Sequence, residues 1–216
     1  MKTAILAATA LTTILFATSA SAGVLTFDGN ICDGGQACGN NSEIDDTYGD
    51  VTGVDVQYAD DRGDGNETLQ WWAESYSDLT NVAWGGDNDD VGAPTIRLVA
   101  LSGYSVTLLG FDLGAWPNTD RTTQVTISEI GGGVLFSSGQ ITIDGDVHTH
   151  FGTNYTSDSG FEINWGPNGF NVGIDNVEFS AERTGLVVPE PSTWALMIGG
   201  FGLAGAALRR RRVLAA

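Results

Sequence analysis

The sequence is short of positive charge. Of its nine cations, Lys2 lies at the N-terminus and Arg209, Arg210, Arg211 and Arg212 lie at the C-terminus, so the intervening chain keeps only Arg62, Arg97, Arg121 and Arg183. Every one of the 27 acids except Glu190 stands against those four arginines. A field of that sign repels nucleic acid and anionic lipid and favours solubility or divalent cations. A nucleic-acid partner is therefore excluded. Cysteine is scarce too, Cys32 and Cys38 being the only two. A redox or metal role would call for a closer pair or for histidines nearby. No long stretch keeps the period of an amphipathic helix, and no apolar run reaches the roughly 20 residues that span a bilayer comfortably.

What is present begins with an address. Lys2 precedes the apolar run AILAATALTTILFA and the small residues Ala20-Ser21-Ala22, the layout of a secretory signal peptide over residues 1–22 with cleavage after Ala22. A buried helix over Ala4 to Ala17 would leave the lone lysine and the Ala-x-Ala site unexplained. Export places Cys32 and Cys38 in an oxidising compartment, where a small-loop disulfide is their expected state. The chain from Gly23 to Val188 is long enough for one domain with a sizeable core and short for two.

Within that body, several short runs alternate with period two: Val54 to Tyr58, Ser105 to Leu113, Thr123 to Ile130, Ile141 to Asp144, Phe161 to Trp165 and Gly173 to Ser180. Turn signals separate them, among them Gly131-Gly132-Gly133, Asp144-Gly145 and Pro167-Asn168-Gly169. Strands joined by short turns with no β-α alternation predict an all-β protein, an antiparallel β-sandwich of the jelly-roll or galactose-binding-like kind over residues 23–183. Residues 184–188 read as a linker.

The C-terminal stretch VPEPSTWALMIGGFGLAGAALRRRR carries the sharpest signal. Pro189 and Pro191 hold Glu190 in extended backbone. A short hydrophobic helix is expected over residues 193–208, which is marginal for a membrane span. The positive-inside bias would keep Arg209, Arg210, Arg211 and Arg212 cytoplasmic, with Trp194 at the outer interface. Glycines along the run permit close approach to another membrane protein. This arrangement over residues 189–212 resembles the PEP-CTERM sorting signal in its variant with Trp194-Ala195 after the second proline. The resemblance implies a Gram-negative bacterium, transient insertion in the inner membrane, recognition by an exosortase, and delivery to the cell surface or the exopolysaccharide matrix. The other reading of the tail is a plain single-span anchor.

The segment from Leu25 to Tyr58 and the closing GIDNVEFS are similar to the bodies of many PEP-CTERM proteins, and the latter resembles the last strand of galactose-binding-like and carbohydrate-binding sandwiches. Such sandwiches often hold a structural Ca²⁺ between a residue near the first strand and an aspartate in the last. The matching positions are Asp28 in TFDG and Asp175 in IDN. The alternative is that Asp175 and Asn176 serve a bulge, since alternation slips between Ile174 and Val177.

Other constellations invite sharper readings. Asp60 to Glu67 has an EF-hand flavour, but Arg62 and Trp71 occupy positions that need ligands, which leaves a solvated turn. Arg62-Gly63-Asp64 is an adhesion tripeptide by three residues only, and Gly85 to Asp90 is an acidic loop. His148 and His150 share one strand face and would need a third ligand to hold Zn²⁺. Trp71 and Trp72 must point to opposite faces, so one fills the core, and the other, with Trp84, Trp116 or Tyr76, could make a platform for a sugar ring. No nucleophile elbow, zinc helix or phosphate loop is present, and acids are too abundant for any one pair to mark a hydrolase. The sequence therefore predicts a non-enzymatic, exported structural or interaction protein with a Ca²⁺ site that could link it to extracellular polysaccharide. The alternative is a carbohydrate-binding module, and an extracellular hydrolase is the third class.

Overall fold

The computed structural model describes residues 20–60, 68–86, 93–185 and 196–204. The chain divides into two compact units, one over Ser19–Gly185 and the other over Met1–Thr18 with Leu186–Ala216. In the second unit the described residues form a helix over 196–204. Among the described residues no helix is long and apolar enough to cross a membrane. The rest of the expected helix, the signal peptide through residue 19, and Pro189, Glu190, Pro191, Trp194, Arg209, Arg210, Arg211 and Arg212 lie outside the described residues. So do residues 61–67, with the Arg-Gly-Asp tripeptide, and residues 87–92.

The first unit is a sandwich of eleven strands: β1 (Ser21–Leu25), β2 (Val54–Ala59), β3 (Gln70–Trp72), β4 (Val82–Trp84), β5 (Thr95–Ala100), β6 (Tyr104–Ala115), β7 (Arg121–Glu129), β8 (Val134–Ile143), β9 (Thr149–Ser157), β10 (Gly160–Trp165) and β11 (Val172–Arg183). One sheet runs β3-β4-β11-β6-β9 with β1 also on β11, the other runs β2-β5-β10-β7-β8, and all pairings are antiparallel. The expected fold class is the observed one.

Alternation builds the layers. On β6 the residues Val106, Leu108, Phe111, Leu113 and Ala115 point inward and are fully buried. On β11 Val172, Ile174, Val177, Phe179 and Ala181 do the same. Facing them from the other sheet are Ile96, Leu98, Val125, Ile127, Phe161, Ile163 and Trp165. Burying each large side chain contributes ~1.5–3 kcal/mol. Both sheets and every core side chain lie inside Ser19–Gly185, so this unit carries its own core.

Two features of β11 position the site. Its outer edge is shared end to end: β4 meets it at Ile174↔Ala83, and β1 meets it from Val177 to Ala181. Between those contacts the register with β6 shifts, and Asn176 adopts the left-handed region at φ 51°. This is the bulge that the broken alternation predicts. Because β1 and β11 are antiparallel, with Ser21 opposite Ala181, the chain enters and leaves the sandwich at the same end. The Ala115–Val172 pair marks the opposite end. β1 begins two residues ahead of the expected cleavage position, so the processed strand would keep Gly23, Val24 and Leu25 on β11.

Candidate functional site

The outer face of the β6–β11 pair starts from glycine. A side chain at Gly114 would drive its Cβ into the Tyr76 carbonyl oxygen, and one at Gly173 would meet Val82 and the Tyr76 ring. The connection from β3 to β4 therefore lies directly on the sheet. It is fastened there by Ser77, whose N–H donates to Ala115 O (3.0 Å), whose Oγ accepts from Ala115 N–H (2.8 Å), and whose hydroxyl donates to Asp144 O (2.7 Å).

Beside this covered patch, three carboxylates gather. Asp175 and Asp112 are cross-strand partners and nearly buried, with exposures of 6% and 7%. Asp28, just past β1, accepts a 2.5 Å hydrogen bond from Asn81 Nδ2, just ahead of β4. The end-to-end seating of β1 and β4 brings these two residues to the bulge. Asn176 donates its N–H to Asp175 Oδ1 (2.7 Å) and its Nδ2 to Asp112 Oδ2 (3.0 Å). Burial, first of all, pushes the Asp175 carboxyl up to about 7. The Asn176 N–H bond and the positive character of His148 oppose that rise, and the charges of Asp28 and Asp112 reinforce it.

The histidines complete the network. His150 Nδ1 lies 2.7 Å from Asp112 Oδ1. His148 is held by Asp78, which accepts from its backbone N–H (2.7 Å) and sits 2.9 Å from its Nδ1. Among the described residues no three His, Cys, Asp or Glu side chains are already arranged to hold a metal ion. Any Ca²⁺ between Asp28 and Asp175 would thus draw further oxygens from carbonyls and amides, which suits its preference for six to eight oxygen ligands.

Trp71 and Trp72 part as alternation demands. Trp71 packs on the main core and donates its indole N–H to Phe27 O (2.9 Å), which commits it to the interior. Trp72 turns to a second apolar cluster with Tyr76, Leu79, Val82, Trp84, Trp116 and Phe170. The rings meet edge to face: Trp72 and Trp116 at 6.0 Å, Trp84 and Phe170 at 4.9 Å, Trp116 and Phe170 at 6.0 Å. Tyr76 Oη donates to Phe170 O (2.7 Å). The cavity between them is about 40 Å³, room for water and far from the roughly 300 Å³ of a small-ligand pocket. Any sugar would therefore stack on the half-exposed outer edges of Trp72, Trp116 and Phe170.

Cys32 and Cys38 form a disulfide, with Cα atoms 5.3 Å apart. The acidic turn at Asp60 meets the loop at Gly86, whose N–H donates to Asp60 Oδ1 (2.8 Å). Not foreseen from sequence is a polar row on the outer face of the other sheet. Gln57, Arg97, Glu162 and Ser128 are successive cross-strand neighbours there, with Arg97 Nε 2.7 Å from Glu162 Oε2, along a depression of about 540 Å³.

Comparison with known proteins bears on the two parts differently. The body matches solved structures at low identity. An exo-β-1,3-galactanase from Phanerochaete chrysosporium, solved with β-1,3-galactotriose, is 16% identical over 68% of this chain with a TM-score of 0.31. A carbohydrate-binding module specific for non-crystalline cellulose is 14% identical over 59% of this chain and 84% of its own, with a TM-score of 0.26. The chain spans 30% of the galactanase's length. At these scores neither likeness assigns a ligand. Comparison with curated proteins gives no match. By its own two antiparallel sheets the body is a β-sandwich. Residues 187–212 match the family model of the PEP-CTERM protein-sorting motif.

Proposed function

We propose that this protein is handed by an exosortase to the cell surface or exopolysaccharide matrix of a Gram-negative bacterium, and that its sandwich acts there as a structural and interaction component rather than as an enzyme. The observation that carries the sorting step is the motif at residues 187–212. The test is to replace Pro189-Glu190-Pro191 by alanines. Full-length precursor should accumulate in the inner membrane, and surface delivery equal to wild type would overturn the reading.

In the body, Asp28 and Asp175 take Ca²⁺ at the junction of β1, β4 and the β11 bulge. What supports this is a buried carboxylate with two acidic neighbours, where a cation offsets charge that burial makes costly. The second reading, a carbohydrate-binding module, is favoured by the aromatic cluster around Trp72. A glycan array separates the two. Glycan-specific binding lost in Trp72→Ala and kept in Trp71→Phe would support the module, and no binding would leave the structural role.

A further inference from the structure

The two free edges of the sandwich on one flank are β8 and β9. In the described structure β8 pairs only with β7 and β9 only with β6, so each turns a row of backbone donors and acceptors outward. The two strands meet across the sandwich at Phe136 and Phe151, whose ring centroids are 6.4 Å apart. Neither strand contains a single Asp, Glu, Lys or Arg over Val134–Ile143 and Thr149–Ser157, although the body holds all but one of 27 acids. Free edges are normally blunted by charge, lysine above all, against pairing with another chain. Here that protection is withheld on the longest unpaired edges among the described residues of a strongly acidic protein.

The core is also left ajar at this flank. On the neighbouring strands the inward residues Leu108, Phe111, Val125 and Ile127 are fully buried. On the edges Phe136, Ile141, Phe151 and Tyr155 point inward yet stay half-buried, and Val134 and Leu135 are 63% and 43% exposed. Bulges interrupt each edge strand's ladder, with Gly139 at φ 62° on β8, but leave straight stretches such as Gln140–Ile143 able to pair.

We propose that the β8/β9 flank docks a second copy of this chain, edge strand against edge strand. Two bodies carrying a large net negative charge repel each other over most approaches, and these two strands, uncharged along their length with Asp144, Asp146 and Asp158 only at their ends, are the approach on which backbone pairing and apolar cover meet the least repulsion. A partner's strand would cover the four half-buried side chains. The inference stands on the flank alone and does not rest on the sorting or Ca²⁺ readings.

Sedimentation equilibrium of the body, residues 23–185, which holds its own core, tests it. Wild type should dimerise with rising concentration. Thr142→Glu with Asn154→Glu, one acid on each exposed edge, should raise the dissociation constant at least about tenfold. Gln57→Glu, on β2 in the other edge of that sheet, should leave it unchanged. As a readout independent of variants, amide exchange in β8 and β9 of the wild type should slow as concentration rises. A monomer at every concentration, or a dimer that neither protects these amides nor responds to the edge charges, would overturn the proposal.

Discussion

Asp175 and Asp112 stand opposite each other across the β6–β11 ladder as the last regular pair before the bulge, both nearly buried. Two carboxylates so placed cannot both be charged without cost, and the structure settles the matter unevenly. Asp112 accepts from Asn176 Nδ2 and sits against His150, whereas among the described residues Asp175 accepts from the N–H of the next residue alone. Burial, reinforced by the charges of Asp28 and Asp112, therefore favours the protonated form of Asp175.

That asymmetry sets a pH dependence. The Asp175 carboxyl lies near 7 in the fold against an ordinary value of 3.8, so the folded state binds the proton more tightly than the unfolded chain does. The stability it contributes is complete below about pH 4 and is lost as pH rises through 7. Asp175→Asn, which copies the protonated form, should match wild type near pH 4 and exceed it at pH 8 by up to about 4 kcal/mol. Thermal melts of both proteins across this range check it, and a variant less stable than wild type at pH 8 would count against the buried-proton account.

Ca²⁺ and the proton compete for the same carboxylate. Calcium should raise the melting temperature of the wild-type body at pH 8, do so much less at pH 5, and have no effect on Asp175→Asn. Melts with Ca²⁺ and with chelator at both pH values measure this. An unchanged melting temperature at pH 8 would remove the Asp28–Asp175 site.

The covering of the outer face depends on glycine. Gly114→Ala sets a methyl against the Tyr76 carbonyl and should cost about 1–3 kcal/mol while lifting the β3–β4 connection off the sheet. Tryptophan fluorescence should shift to the red with it, because Trp72 and Trp116 lose their packing around Tyr76. A stable variant with native fluorescence would show that the connection is not seated as described.

The disulfide should matter more than its short loop suggests, since Cys32 is 1% exposed and belongs to the core. Cys32→Ser with Cys38→Ser should lower stability by about 2 kcal/mol for loop closure alone. Replacing Cys38, the more exposed partner, by itself should cost less than replacing Cys32.

How much of this the sequence shows depends on where each signal resides. Strands β2, β6, β7, β10 and β11 bury one face fully, and their alternation reads directly. β9 does not read, because Thr149 and Thr153 occupy inward positions of a half-covered edge, and of β8 only the stretch from Ile141 is legible. β3 and β4, three residues each, exist through their neighbours rather than their own pattern. The slip before Val177 foretells the bulge, and the adjacent tryptophans foretell their parting. What no local pattern carries is the meeting of Asp28 with Asn81, of Asp112 with His150, or of Tyr76 with Phe170. Those pairs are 53, 38 and 94 residues apart and are joined only by sheet order.

The antiparallel seating of β1 on β11 gives the body a polarity. Its first and last residues emerge side by side, so anything that grips either terminus grips the sandwich by one handle. The turns that follow Ala115 and precede Val172, with Trp116 and Phe170, are then the far tip, held as far from that handle as the strands are long. Cutting the chain at either terminus would free the handle and leave the tip as it is.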